Sequence, residues 1–389
     1  MSLSLSQTPA LVSFSQSPII FSVAESTPVY TSSSFQYVGE LYYWTGSIFG
    51  SGSVPDYTIL KYPNTSNVGI FDLNRIINST LTDYAFANTS SVVFYAVDFY
   101  YQYQSGSTYL TGSHLKSSTY KAIDGYGIFP EPIGQSIYNS SPYWPLMTDG
   151  PVTQSVFSTN KGKSALFVGQ SGAPEAPNNL LYSSSLQTAT IGFVGVDASS
   201  SGQIQQYPIG PAETGFPLSG SFDSYTIQPY SFGTPLGTSI RFEFACQQKY
   251  PNVRIKWKNR YGQFDWLNFN MISKNSFETE KRLYQPQLGT WESSTLSYQP
   301  YDTANQAYIV DSKQGLSVNT NWLPETYNNI LKQLLVSDEI YWQYDETDYN
   351  KVRPLTITTQ NVVFKTGVVD KLIQYQFEFQ YGQPYKLIM

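Results

Sequence analysis

Residues 249–269 read KYPNVRIKWKNRYGQFDWLNF. Arg254, Lys256, Lys258 and Arg260 fall at every second position, with Val253, Ile255 and Trp257 preceding the first three of them in turn. Alternate side chains of a strand point to opposite faces, so the four cations share one face and the apolar residues take the other. Residues 259–262 (NRYG) supply a turn, and residues 263–269 return as a second aromatic-rich strand, giving a β-hairpin. Two readings of the cationic face stand side by side: a solvated hairpin face, or a stripe that docks on the acidic surface of a neighbouring subunit. On the second reading Arg254, Lys256, Lys258 and Arg260 are candidate subunit-interface residues, exposed in an isolated chain.

The same period-2 pattern extends outward along the chain. Residues 35–44, 57–62, 92–103, 190–196, 225–230, 239–246 and 371–379 are β-branched and aromatic, bounded by Gly, Pro, Ser or Asn clusters. Only two stretches read as helices. Residues 71–81 place Leu73, Ile76 and Ile77 on one face behind Asp72 as a candidate N-cap. Residues 323–336 repeat Tyr327, Ile330, Leu331, Leu334 and Leu335 at helical spacing, with Pro324 in the first turn and Thr320 or Asn321 as cap. Many short strands with turn signals between them indicate an all-β protein of two sandwich-like domains. Five prolines between Pro130 and Pro151, and three more at Pro208, Pro211 and Pro217, divide the chain. The expected organisation is an N-terminal sandwich at 1–127, an irregular Pro/Gly/Ser-rich connector with a few strands at 128–220, and a C-terminal β-domain with one amphipathic helix at 221–389.

Composition limits the chemistry. The 389 residues contain one cysteine, Cys246, and one histidine, His114, which excludes an internal disulfide and leaves a Cys/His zinc site or Cys–His dyad without support. Cys246 alternates with Phe242 and Phe244 and reads as a core residue. His114 reads as an exposed loop residue. Residues 169–172 (GQSG) lack the glycine spacing of a hydrolase elbow, so Ser171 reads as a turn serine. Asp345, Glu346 and Asp348 form an acidic cluster that reads as a solvated hairpin turn, against the alternative of a calcium loop. No carboxylate pair is singled out for glycoside hydrolysis. The expectation is therefore no enzymatic activity, no cofactor and no metal.

Charge is sparse and uneven. Charged residues make up 13% of the chain, and the net charge is −6. Residues 1–215 hold 6 Lys/Arg against 12 Asp/Glu, while residues 216–389 hold 16 of each. A net negative chain lacks the electrostatic footprint of a nucleic-acid binder. The N-terminus has no basic region ahead of an unbroken apolar stretch, and no apolar run reaches the ~20 residues of a membrane span. Neither nucleic acid nor membrane is an expected partner. Four Asn-x-Ser/Thr sites, at Asn64, Asn78, Asn88 and Asn139, read as chance occurrences in a Ser/Thr-rich chain.

The hairpin from Tyr250 to Asp265, with its Tyr-Pro-x-Val-x-Ile-x-Trp-x-Asn-Arg-Tyr-Gly-x-Phe-Asp pattern, resembles one in virion structural proteins of tailed phages and prophages of Bacteroidota. Other stretches resemble the same proteins in the same order: QSPIIFSV, SFQYVGELYYW, YKAIDGYGIF at 120–129, NWLPETYNNILKQLLVSDEIYWQ at 321–343, and KVRPLTITTQNVVFKTGVVDKLIQYQFEFQYG at 351–382. The resemblance runs nearly end to end, weakest over 128–220. It implies a tail, neck-ring or baseplate component, with a crAss-like phage as a candidate source. It further implies a homo-oligomeric ring or collar subunit made in the host cytoplasm and built into the virion beside portal, tail or adjacent ring proteins. Asn259, Arg260, Tyr261, Gly262, Phe264 and Asp265 are then fold-defining rather than catalytic. The competing expectation is a glycan-binding adhesin or fibre-type host-recognition module.

Overall fold

The computed structural model describes residues 3–26, 32–45, 54–81, 92–128, 146–168, 177–185, 191–196, 203–245, 249–345, 351–364, 372–383 and 385. The chain is all-β, built from sandwich-like layers, with two short α-helices among the described residues. Cys246, residues 169–172, Glu346, Asp348, Asn88 and Asn139 lie outside them.

The first unit packs a three-stranded sheet (Ser4–Gln7, Ile20–Ala24, Val68–Asp72) against a larger one. The larger sheet runs in the order Val12–Phe14, Tyr120–Ile123, Val92–Ser105, Gln36–Thr45, Tyr57–Lys61. Inward residues of both sheets, among them Phe21, Val23, Tyr37, Phe71, Tyr95 and Phe99, form one core. The expected helix at 71–81 is shorter, Asn74–Thr80, because Phe71 and Asp72 close the preceding strand. Leu73 and Ile77 are buried beneath it, and the Asp72 carboxylate accepts from the Asn74 amide at 3.2 Å.

The stretch expected as a connector contributes strands to a second unit. Its six-stranded sheet runs Thr153–Val156, Ile240–Phe244, Ser224–Ser231, Asn179–Ser184, Ile191–Gly195, with Thr234–Pro235 paired onto Ser224–Ser231. Lys163–Phe167 and Ile204–Pro208 form a two-stranded ladder, and the cores of ladder and sheet meet. The boundary expected at 220/221 therefore cuts through this sheet. Proline and serine clusters mark turns, but they do not say which strands pair. What holds Ser224–Phe244 in the middle unit is aromatic packing. Tyr225 stacks on Phe242 at 5.1 Å, and the buried Tyr182 and Tyr225 hydroxyls donate to the backbone carbonyls of Pro208 and Ile209.

The third unit is a seven-stranded antiparallel sheet in the order Phe264–Phe269, Val253–Lys258, Ile340–Gln343, Val352–Ile357, Gln376–Tyr381, Gln306–Asn319, Lys274–Tyr284. The helix expected at 323–336 begins later: Leu323–Pro324 is extended, Glu325–Tyr327 forms a 3₁₀ turn and the α-helix spans Asn328–Val336. Its expected caps serve elsewhere. The Thr320 hydroxyl accepts from the Tyr375 amide at 2.9 Å, and the Asn321 side chain accepts from the Trp322 amide at 2.8 Å. The apolar stripe is as expected, with Tyr327, Ile330, Leu331 and Leu334 buried on the sheet beside Trp257, Phe269 and Phe377. On this sheet's outer side Lys274–Tyr284 and the first half of Gln306–Asn319 leave the body as a two-stranded ribbon, extended by the small hairpin Thr290–Glu292/Thr295–Ser297.

A fragment of residues 221–389 would carry Ser224–Ser231 and Ile240–Phe244 without their partners Asn179–Ser184 and Thr153–Val156. It is expected to precipitate or to melt without a cooperative transition. A soluble fragment melting at the temperature of the intact chain would contradict the assignment of these strands.

Candidate functional site

The hairpin forms as its alternation dictates, Val253–Lys258 pairing with Phe264–Phe269 across the 259–262 turn. Asn259 builds that turn. Its side-chain oxygen accepts from the amides of Tyr261 and Gln263, both at 3.0 Å, and its backbone amide donates to the Gln263 carbonyl at 2.6 Å. Gly262 adopts φ +70°, and a Cβ there would meet the Asp124 carbonyl oxygen at 2.7 Å.

The cationic face is not exposed. Arg254, Lys256 and Lys258 are 4%, 3% and 5% accessible, which corrects the expectation that an isolated chain leaves the stripe in water. The acids of the front half are part of its target, as charge complementarity suggested, but they belong to the same chain. Lys258 Nζ pairs with Asp124 of the first unit at 2.7 Å and with Glu339 at 3.2 Å. Arg260 Nε pairs with Asp149, just ahead of the second unit's first strand, at 2.6 Å. The Arg254 guanidinium lies 4.8 Å from the Trp266 ring centre, and a Cβ on Gly162 would come within 3.1 Å of Arg254 Nη2. Lys256 is ringed by Phe264, Trp266 and Tyr341, at 4.7, 5.4 and 5.4 Å. The contacts expected from a neighbouring subunit are thus made within the fold.

Asp149 is the hub on the second unit's side. Besides Arg260, it accepts from the Tyr261 hydroxyl and from Gln333 Nε2, each at 2.7 Å. Gln333 Oε1 in turn accepts from the Arg260 amide at 3.1 Å, so the helix Asn328–Val336 is tied to the turn. Asn259 Nδ2 donates to the Met147 carbonyl at 2.9 Å, Trp266 Nε1 to the Lys163 carbonyl at 3.1 Å, and the Tyr126 amide to the Arg260 carbonyl at 2.9 Å. Around these polar contacts Phe14, Phe94, Ile123, Met147, Phe167 and Tyr261 make one apolar cluster drawn from all three units.

Burial sets the protonation of this junction. Burial pushes the Asp265 carboxyl up to about 7, the nearby Asp149 charge adding to the effect and hydrogen bonds from Thr148 and Asn259 opposing it. Burial lowers the Lys256 ammonium to about 7, partly offset by Glu339. Burial would lower Lys258 too, but the hydrogen bond and charge of Asp124, with Asp338 and Glu339, outweigh it and hold the ammonium above its ordinary range. The cavity beside Asp265, lined by Thr148, Ser164, Tyr207 and Trp266, measures about 20 Å³. That admits a water and falls far short of the ~300–1,000 Å³ of small-molecule sites. The junction is built to join units.

Other candidates are placed elsewhere. His114 is an exposed residue as expected, its Nδ1 3.0 Å from Asp98 and its ring 4.5 Å from that of Tyr100. On the same open sheet face Glu40 accepts from the hydroxyls of Tyr42 at 3.2 Å and Tyr100 at 3.1 Å. Asp345 pairs with Lys351 at 2.7 Å. Among the described residues no group of three or more His, Cys, Asp or Glu is arranged to hold a metal ion, and no helix is long and apolar enough to cross a membrane. Neither a protein-family model nor a curated protein matches the chain.

Two outcomes test the junction. Gly125 has φ +135°, and a Cβ on it would collide with the Arg260 carbonyl. Gly125→Ala should therefore cost roughly 1–3 kcal/mol in denaturant unfolding, whereas Gly195→Ala, with nothing within 4 Å, should stay within ~0.5 kcal/mol. Equal effects would mean that the close approach is unimportant.

The second outcome is a pH profile. With a folded value near 7 against the ordinary 3.8, Asp265 is protonated in the folded state and ionised in the unfolded one between those values. Its contribution therefore falls as pH rises from about 4 to 7 and is level above. For Lys256, near 7 against 10.5, the unfolded state binds the extra proton between those values, so stability rises from pH 7 to 10. Asp265→Asn should gain on the wild type between pH 4 and 7 and show a constant difference above 7. A difference that is flat across the whole range would contradict the buried, neutral carboxyl.

Proposed function

We propose that the chain is a structural subunit of a tailed-phage virion, a component of a tail or neck ring, collar or baseplate that assembles with copies of itself and with other virion proteins. The observation that carries this reading is the surface. The ribbon leaves the body bare, with Phe277 52%, Leu283 56% and Tyr308 58% accessible. A two-stranded ribbon is marginal in water by itself. Edge strands elsewhere are equally open: Ile191 and Phe193 in Ile191–Gly195, and Tyr57 and Leu60 in Tyr57–Lys61, are exposed. Apolar side chains left exposed on open strand edges are what assembly covers and what a free monomer avoids.

The junction supports the same reading from the inside. Asp124 lies in the YKAIDGYGIF stretch, Gln333 and Glu339 lie in the NWLPETYNNILKQLLVSDEIYWQ stretch, and both stretches meet the NRYG turn. The segments that resemble virion proteins are thus ones that lock the units together, as fold-defining segments should. A second reading, a glycan-binding module, is favoured by the open face bearing Glu40, Tyr42, Tyr100 and His114, where phenol rings lie beside acceptors for sugar hydroxyls.

Negative-stain imaging and sedimentation of the purified chain, alone and mixed with the portal and tail proteins of its phage, separate the two. Uniform closed multimers or complexes with those proteins are expected. A chain that remains monomeric in every mixture and binds host polysaccharide through the Glu40–Tyr100 face would overturn the structural reading in favour of the second.

A further inference from the structure

Lys274–Tyr284 (KNSFETEKRLY) is the outermost strand of its sheet. All eleven of its residues are exposed, and among the described residues it pairs on one side only, with Gln306–Asn319. At ~3.4 Å per residue it presents about 35 Å of open strand edge. Such an edge is a template for another strand, and charged residues are the usual guard against indiscriminate pairing. Here the charges are ordered in a way that admits one partner.

Consider two copies of this strand brought edge to edge, antiparallel, about a twofold axis normal to the sheet. The axis keeps every side chain on its own face, so only residues an even number of positions apart can stand opposite one another. With the axis at Glu280, Glu278 faces Arg282 twice, Phe277 faces Leu283 twice, and Ser276 faces Tyr284 twice. Opposite charges and apolar residues directly across from each other are favourable pairs, and the only like-charge pair is Glu280 with its own mate. Moving the axis to Thr279 sets Glu278 against Glu280 twice. Moving it to Lys281 keeps two ion pairs, but it sets Lys281 against itself and puts Phe277 opposite Gln285 instead of Leu283. It also shifts Pro286, which cannot donate to a ladder, inward from Lys274 at the strand's end to Ser276.

We propose that Lys274–Tyr284 is a self-recognition edge: two copies of the chain pair through it, antiparallel, in the register centred on Glu280, joining their seven-stranded sheets into one. The occupant is a second copy because the complementarity is between the strand and itself. Backbone bonds along the shared edge supply affinity, and the Glu278–Arg282 and Phe277–Leu283 pairs supply register. The inference goes beyond the virion reading and does not need it, since a twofold contact can join two chains, or two rings, of any assembly.

The test uses the full chain. At ~100 μM, where even a ~10 μM contact is mostly formed, sedimentation should show a dimer or an even-numbered multiple. Arg282→Glu, by replacing two attractive pairs with two repulsive ones, should weaken dimerisation about tenfold or more. Glu278→Arg should do the same, and the double reversal should restore it, with melting temperatures confirming that all variants fold. In a Cys246→Ser background Glu280→Cys should cross-link to its mate on mild oxidation, because directly opposed residues lie ~4.5–5.5 Å apart between Cα atoms, within disulfide reach. Asn275→Cys, five positions from the axis, should not. A monomer at this concentration, association unmoved by the single reversals, no rescue by the double reversal, or cross-linking at Lys281→Cys in place of Glu280→Cys would each overturn the proposal. If multimers persist while the reversals have no effect, the edge is excluded and the assembly reading survives.

Discussion

The structure depends on two cations at one hairpin turn, Lys258 buried and Arg260 largely covered. Lys258 reaches Asp124 and Glu339, and Arg260 reaches Asp149, so a single turn draws carboxylates from all three β-units. Desolvating such groups is expensive, and a buried ion pair is weak evidence for net stability. Its consequence is geometric. A packed arrangement that keeps a cation out of water but moves its carboxylate away leaves a charge buried without its mate, at about 3–5 kcal/mol. The pairs therefore select one relative placement of the units, and the apolar cluster around Tyr261 fills the space between them.

That constraint explains details that look unrelated. Gly125 and Gly262 let two backbones approach where a side chain would collide. Gln333 is buried on a mostly apolar helix face, where it bridges the turn amide and Asp149. The burial that encloses the ion pairs also raises the Asp265 carboxyl and lowers the Lys256 ammonium, each to about 7.

Much of this was legible in the sequence. Period-2 alternation located most of the strands, and the stripe Tyr327, Ile330, Leu331, Leu334 located the helix, because both rest on local geometry. Helix starts shifted where Phe71 and Asp72 close a strand and where the Thr320 and Asn321 side chains accept from the Tyr375 and Trp322 amides. The membership of Ser224–Phe244 was not legible, since pairing with Thr153–Val156 and Asn179–Ser184 is a long-range property of shape. For the hairpin, alternation correctly put four cations on one face, but alternation cannot say whether a face is wet. Asp124 and Glu339 lay in stretches already singled out by their resemblance, although neither stood out as an ion-pair partner. Asp149 lay in the proline-rich stretch, where no spacing signal pointed to it.

The central claim is that the junction makes the three units one body, and differential scanning calorimetry of the intact chain tests it most directly. Multi-unit chains commonly unfold in steps. The account predicts a single transition at neutral pH, with calorimetric and van't Hoff enthalpies in agreement. Resolved transitions, with one β-unit melting while the others remain folded, would contradict it.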